Sequence, residues 1–234
     1  MLWFNSLHEQ GASIAVMSDL SDGDCRLSTD EGAAARQRFC EACGVAFEHV
    51  TVGNQVHGSR IAVVEATDRG RGHHGSRPAF ADTDGLITDV TGLPLGISVA
   101  DCVPVFLLDS KRRAIGLVHA GRAGTQHAIA ATAVDAMREA FATNPENLHA
   151  VIGPSAGPDV YEVSEEIAAE FAAAGCPVRG CMLDLWEANA RQLIACGVPR
   201  TNIAITGVCT ITGGRFHSHR AHANGARNLA LLML

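Results

Sequence analysis

The chain has 234 residues, a formal net charge of −7 and a hydrophobic fraction of 47%. Its length fits one large domain or two small ones, and its apolar content is ample for a core, which excludes a disordered chain. Charged residues make up only 18%, and the longest basic run is Lys111-Arg112-Arg113. No apolar stretch approaches a membrane span, so neither nucleic-acid binding nor membrane insertion is expected. The first ten residues lack a basic segment followed by an apolar one, which points to a cytoplasmic protein. The eight cysteines therefore read as reduced thiols, not as a disulfide framework.

In chain order, the first strong helix signal is Glu31–Cys43, stopped by Gly44. It ends in Cys40-Glu41-Ala42-Cys43, and with no second C-x-x-C these read as ordinary helical cysteines. A strand is expected over Ile61–Glu65. Asp68–Ala81, with three glycines, Pro78 and the adjacent His73 and His74, reads as a mobile loop. Short apolar runs then predict strands at Gly85–Thr88, Leu95–Val99, Val103–Leu108 and Ala114–Val118. The basic run falls between the last two as a hairpin turn. A helix is expected over Thr125–Ala142 and a strand over Ala150–Ile152. Ser164 is a good N-cap for a helix over Ser164–Ala174, with Glu165 and Glu166 in its first turn and Gly175 past its end. A helix at Leu185–Ala195 and strands at Ile203–Thr206 and Leu229–Leu234 complete the chain. Hairpin-like strands mixed with long helices indicate an α+β fold.

The chemistry concentrates at strand edges. Leu95–Val99 leads into Ala100-Asp101-Cys102, and Ala114–Val118 leads into His119-Ala120-Gly121. His57, in Asn54-Gln55-Val56-His57-Gly58, precedes another strand. Two imidazoles and one thiolate make a three-ligand set, and three protein ligands with an open fourth position is the pattern of catalytic zinc. Gln55 and His57, two apart, point the same way on an extended chain. Asp101 either orients a ligand histidine or caps the turn before Pro104. The segment His119–Thr125 is a strand-to-helix junction of small residues, where backbone N–H groups and Arg122 can hold an anion. Cys209, after the strand at 203–206, either faces the Cys102 cavity or packs in the core.

Five motifs occur in one order: Asn54–Gly58, Thr83–Asp89, Val99–Val105, His119–Gly121 followed by Gly124-Thr125, and Ile152–Val163. Together they resemble the YfiH family, also called the polyphenol oxidase or laccase-domain family and known for purine nucleoside phosphorylases. The resemblance runs from about Val52 to the C-terminus. It implies a single domain over residues 1–234, with a mixed β-sandwich core flanked by helices. It also implies zinc held by His57, Cys102 and His119. Three segments depart from the family pattern. Where the family has Trp-Arg after His-Ala-Gly, this chain has Arg122-Ala123. Asp159 and Val160 stand in a segment that commonly holds two cysteines. The tail Phe216–His222 carries three histidines in place of tyrosines, readable as a polar loop or an extra metal cluster. Arg220 and Arg227 match arginines of the family's C-terminal motifs.

The activity that the resemblance implies is zinc-dependent phosphorolysis of a purine nucleoside (adenosine, inosine or methylthioadenosine), with deamination of adenosine as a related reaction. Cys102, His119 and Asp101 are the candidate catalytic residues. Asn54, Gln55, Arg122, Arg220 and Arg227 are the candidate contacts to nucleoside and phosphate. A cysteine hydrolase acting on peptidoglycan precursors, with Cys102 as nucleophile, uses the same residues. A copper polyphenol oxidase is a further alternative, since two His and one Cys also suit copper. Only His217-Ser218-His219 has the His-x-His form that a multicopper centre needs. A zinc-stabilised binding module is the non-catalytic alternative.

Overall fold

The computed structural model describes residues 1–73 and 77–234. The strands in chain order are β1 (Leu2–Trp3), β2 (Ile14–Met17), β3 (Thr51–Val52), β4 (Ile61–Val63), β5 (Gly85–Thr88), β6 (Leu95–Val99), β7 (Val103–Asp109), β8 (Ala114–Ala120), β9 (Leu148–Ile152), β10 (Val178–Arg179), β11 (Met182–Leu183), β12 (Ile203–Ile205) and β13 (Asn228–Met233). The helices are α1 (Asn5–His8), α2 (Asp30–Ala42), α3 (Arg122–Gln126), α4 (Ile129–Phe141), α5 (Glu165–Ala173), α6 (Leu185–Ala195) and α7 (His219–His222).

Two sheets are stacked, one ordered β1-β2-β13-β6-β3 and the other β12-β9-β7-β8-β5-β4. Alternation along the strands sends one set of side chains between the sheets and the other outward. Met17, Leu95, Ile97 and Leu232 from the first sheet meet Leu86, Phe106, Leu108 and Leu117 from the second, all buried. The outer face of the first sheet (Val16, Leu229, Leu231) is covered by α2 through Ala35, Phe39 and Cys40. That of the second (Ile87, Val105, Leu107, Val118) is covered by α4 and α6. The expected α+β class with a mixed sandwich flanked by helices is what the chain forms.

Most elements fall where the apolar periodicity puts them. β5, β6 and α6 match residue for residue, and Ser164 caps α5 by accepting the Ile167 N–H. Asp109 Oδ1 accepts the N–H groups of Lys111 and Arg112, closing the basic hairpin turn between β7 and β8. One helix is corrected. The expected Thr125–Ala142 helix is two, α3 and α4, broken where Ala128 takes a left-handed φ of 56°. The break lets the first turn follow the pocket wall while α4 lies across the sheet. The segment expected as a mobile loop has held flanks: Val52 N–H donates to Arg71 O at 2.9 Å, and Phe80 bridges to Gly53. Its centre, residues 74–76 with His74, lies outside the described residues. No described helix is long and apolar enough to cross a membrane.

Candidate metal centre and pocket

The topology explains why distant residues meet. β7 and β8 are antiparallel neighbours with Pro104 opposite His119. This sets the residues before β7 beside the end of β8. β5 lies on the other side of β8 with Gly85 opposite Val118, which places Asp84 next to His119. His119 N–H donates to Asp84 O at 2.7 Å, and the His119 Nδ1 to Asp84 Oδ1 distance is 2.8 Å. The same carboxylate accepts three successive N–H groups of the loop after β3, those of Val56 (3.2 Å), His57 (2.9 Å) and Gly58 (2.8 Å). Wrapping three amides around one carboxylate requires the left-handed φ of 62° at His57. Asp84 is fully buried, so these bonds are made in a low-dielectric setting where they are strong.

Cys102 is aimed by its neighbour. Asp101 takes φ 76°, a conformation non-glycine residues rarely adopt, in the turn between β6 and β7. The Asp101 carboxylate accepts from Thr210 Oγ1 at 2.6 Å and from the Arg220 N–H at 2.7 Å, which holds the turn. The ligand atoms of His57, Cys102 and His119 all lie within 4.8 Å of one another. Gly121 keeps the space beside them open: a Cβ there would lie 2.9 Å from His57 Cδ2 and 3.1 Å from Cys102 Sγ.

The electrostatics match this geometry. Burial pushes the Cys102 thiol up, but the charge of His119 and hydrogen bonds to His119 and His57 outweigh it and draw the thiol down to about 6. Burial pushes His119 down, but the Cys102 thiolate and Asp84 outweigh it and raise it to about 9. Burial also opposes ionisation of Asp84, yet His119 and the loop amides hold its carboxyl below the ordinary range. With Nδ1 bonded to Asp84, His119 offers Nε2 toward Cys102.

A cavity of about 780 Å³ opens over the three residues, with Tyr161, Asp101, Asn54 and four arginines among its lining. All the site residues expected from sequence line it. Two of them, Asp101 and Gln55, are bonded into the pocket wall. Of the two parts open to Asp101, it takes the one in the turn: its carboxylate accepts from Thr210 and the Arg220 N–H, and Asp84 is the carboxylate bonded to His119. Gln55 donates through Nε2 to Ser98 O at 2.8 Å, and its Oε1 accepts the Ser98 N–H at 2.7 Å. Its amide thus pins the His57 loop to β6. Arg122 opens α3 and bonds Gln126 Oε1 at 3.3 Å. Arg220 lies over the Tyr161 ring at 5.3 Å and donates to Glu162 O.

Other candidates stay apart. Cys209 does not line the cavity; its Sγ accepts the Gly157 N–H at 3.3 Å. Cys40 is buried on α2, Cys43 is buried at the helix end, and all eight cysteines are free. Of the tail histidines, His219 faces the cavity and His217 Nε2 lies 3.0 Å from Gly23 O. His73 packs edge-on against Phe47. Among the described residues, His57, Cys102 and His119 form the one group of three or more His, Cys, Asp or Glu side chains placed to hold a metal.

Known proteins are similar to this chain in sequence and fold. The family model for the multi-copper polyphenol oxidoreductase laccase matches residues 8–234. The purine nucleoside phosphorylase YlmD of Geobacillus stearothermophilus is 33% identical over 196 residues, 79% of this chain and 72% of that protein. The adenosine deaminase RL5, from an unknown prokaryotic organism, is 32% identical over 186 residues, 75% of this chain and 71% of that one. The crystal structure of YfiH from Bacillus licheniformis superposes with a TM-score of 0.86 at 26% identity, covering 94% of this chain and 92% of that one. The chain thus belongs to the multi-copper polyphenol oxidoreductase laccase family, in which relatives are named as purine nucleoside phosphorylases and as an adenosine deaminase.

Proposed function

We propose that this protein is a zinc-dependent enzyme that splits purine nucleosides with phosphate and also deaminates adenosine. The observation that carries the reading is the His57–Cys102–His119 group on the floor of a cationic cavity. The donor set fits zinc, with two imidazoles, one thiol already drawn toward its anionic form, and a carboxylate behind His119. Three ligands leave a fourth position for an oxygen. When bound there, zinc supplies a Lewis acid for an oxygen of phosphate or sugar, or lowers the pKa of a water.

The chain's own residues do the rest. Asp84 fixes the His119 ring and the His57 backbone together, so the ligand atoms are positioned before any metal arrives. Arg122, at the start of α3 beside Gly121, offers its guanidinium to phosphate. Tyr161 lies in the cavity wall as a flat partner for a purine. In phosphorolysis a phosphate oxygen bonds to the sugar anomeric carbon, the bond to the purine breaks, and the purine leaves with the proton from phosphate. With water as the nucleophile at the purine ring, the same cavity would release ammonia from adenosine. Zinc is favoured over copper because the described residues supply a single three-ligand group, whereas a multicopper oxidase assembles several.

A second reading rests on the Cys102–His119 pair. A thiol near 6 beside a raised histidine is a ready nucleophile if no metal is held. One experiment separates the two: metal content of the purified protein, with phosphate-dependent release of base from adenosine and inosine before and after chelation. Base release that needs phosphate and disappears with the metal supports the zinc reading. Undiminished turnover by metal-free protein would overturn it in favour of the thiolate.

A further inference from the structure

The cavity is opposite in sign to the molecule around it. The chain carries −7 overall, yet among the described residues Arg26, Arg122, Arg220 and Arg227 face the cavity with a single carboxylate, Asp101. That carboxylate is already bonded to Thr210 and the Arg220 N–H. The arginines belong to different walls. Arg122 follows Gly121, which sits against His57 and Cys102. Arg26 and Arg227 stand on two other loops that are tied to each other. Arg227 N–H donates to Asp24 Oδ1 at 2.9 Å, Arg26 Nη2 donates to Asn224 O at 3.2 Å, and a Cβ at Gly225 would lie 3.2 Å from Arg26 Nη1.

Asp24 pairs with Arg26 and so offsets one of the two charges. The Arg227 guanidinium donates to a neighbouring carbonyl, Ala226 O, at 3.0 Å. Among the described residues neither Arg122 nor Arg227 has a carboxylate partner; the side chain of the first bonds an amide oxygen and that of the second a backbone oxygen. Guanidinium groups left without a carboxylate in a cavity are suited to phosphate oxygens, which they grip in pairs. One phosphate co-substrate beside Arg122 accounts for one cationic wall and leaves the other unexplained.

We propose that Arg26 and Arg227 form a second anion subsite, and that the cavity prefers a purine nucleoside bearing a phosphate on its sugar, a nucleoside 5′-monophosphate. The inference rests on the reading of the cavity as a purine nucleoside site. A volume of about 780 Å³ holds such a ligand together with inorganic phosphate. The reaction is unchanged in its bonds; the extra phosphate is bound, not transferred.

The test is calorimetric titration of the metal-loaded protein with AMP and with adenosine, each with and without saturating inorganic phosphate. AMP should bind about tenfold more tightly than adenosine, the value of one charge-assisted contact. The AMP-to-adenosine affinity ratio should fall toward one in Arg227→Ala and recover in Arg227→Lys. Arg26→Ala gives the same readout from the loop bonded to it if Arg227→Ala does not fold. AMP no tighter than adenosine in wild type overturns the proposal. So does an advantage that survives both alanine variants. An AMP advantage that is lost in Arg122→Ala but kept in Arg227→Ala also overturns it, because it places the nucleotide's phosphate at Arg122. Base release is scored separately. An AMP preference without phosphate-dependent cleavage leaves the subsite standing and removes the phosphorylase reading; cleavage of adenosine with no AMP preference does the reverse.

Discussion

Asp84 is the residue on which both halves of the His57–Cys102–His119 cluster rest. It receives His119 on one oxygen and the backbone of the His57 loop on both. Asp84→Asn keeps the size but replaces a carboxylate with an amide, which weakens the hold on the ring and on the three N–H groups. We expect metal affinity to drop about 10- to 100-fold, as for other carboxylates behind a ligand histidine. Competition with a chromophoric chelator measures this without reference to turnover, and unchanged affinity would refute it. Cys102 yields a pH prediction. Its thiol is drawn down to about 6, so in metal-free protein the thiolate forms as pH rises through that value. Alkylation by iodoacetamide should climb between about pH 5 and 7 and then level off, whereas an ordinary thiol climbs near 8.5. His119→Ala removes the main attraction and should move the midpoint up. A wild-type midpoint that stays near 8.5 counts against the pair. The meeting of His57, Cys102 and His119 is legible in the sequence because each ends or precedes an apolar run, and their motifs are specific. Asp84 is not legible as the orienting residue. It stands one place before a strand run, as Asp101 stands before Cys102, and sequence spacing favours the nearer acid. Only the β5–β8 register shows which carboxylate reaches His119.

At the scale of elements, the pocket depends on helices being short or capped in the right place. α3 lasts one turn, and Thr125 inside it is bound from α6. Asn189 Nδ2 donates to Thr125 Oγ1 at 3.1 Å, and Gln192 Nε2 donates to Thr125 O at 2.7 Å. α6 in turn starts at Asp184, whose Oδ1 accepts the Glu187 N–H at 2.9 Å. Asp184→Ala removes that cap and should cost about 1 kcal/mol of folding stability. Denaturant unfolding followed by far-UV circular dichroism reads it directly. No loss would show that packing of α6 alone holds the helix. The strength of a pattern decides what can be read at this scale. α6 and β6 are recovered because caps and apolar spacing agree. The break at Ala128 is hidden, because alanine is the best helix former and nothing in Gln126-His127-Ala128 signals a left-handed turn. β2 is also missed. Its four residues are all buried and carry no alternation, so Ile14–Met17 resembles any short apolar run. Its identity comes from β13, which pairs along its whole length.

For the whole molecule, the order of strands determines what a metal bound at the His57–Cys102–His119 cluster would do for stability. His57 lies between β3 and β4, Cys102 between β6 and β7, and His119 at the end of β8. A metal held by all three bridges the two sheets, since β3 and β6 belong to one and β4, β7 and β8 to the other. The three side chains converge only in the folded chain, so the metal binds the native state in strong preference to the unfolded one. Mass action then fixes the size of the effect. Free zinc at about 100 times its dissociation constant should raise the unfolding free energy by about 2.7 kcal/mol. The measurement is chemical denaturation of the chelated protein with zinc added stepwise, beside Cys102→Ala. The wild-type midpoint should rise with the logarithm of free zinc and fall back on chelation. The variant, with one ligand gone, should show little of this slope. The core itself supplies the control. Phe106 is fully buried between the sheets, 4.6 Å from the Phe4 ring. Phe106→Ala should lower stability by about 3–5 kcal/mol. Its zinc slope should nevertheless match wild type, because the cavity it opens lies between the sheets and not at the ligands. A slope lost in Phe106→Ala as well would mean that zinc reads the general integrity of the sandwich. A slope lost only in Cys102→Ala ties it to the three residues that the strand order brings together.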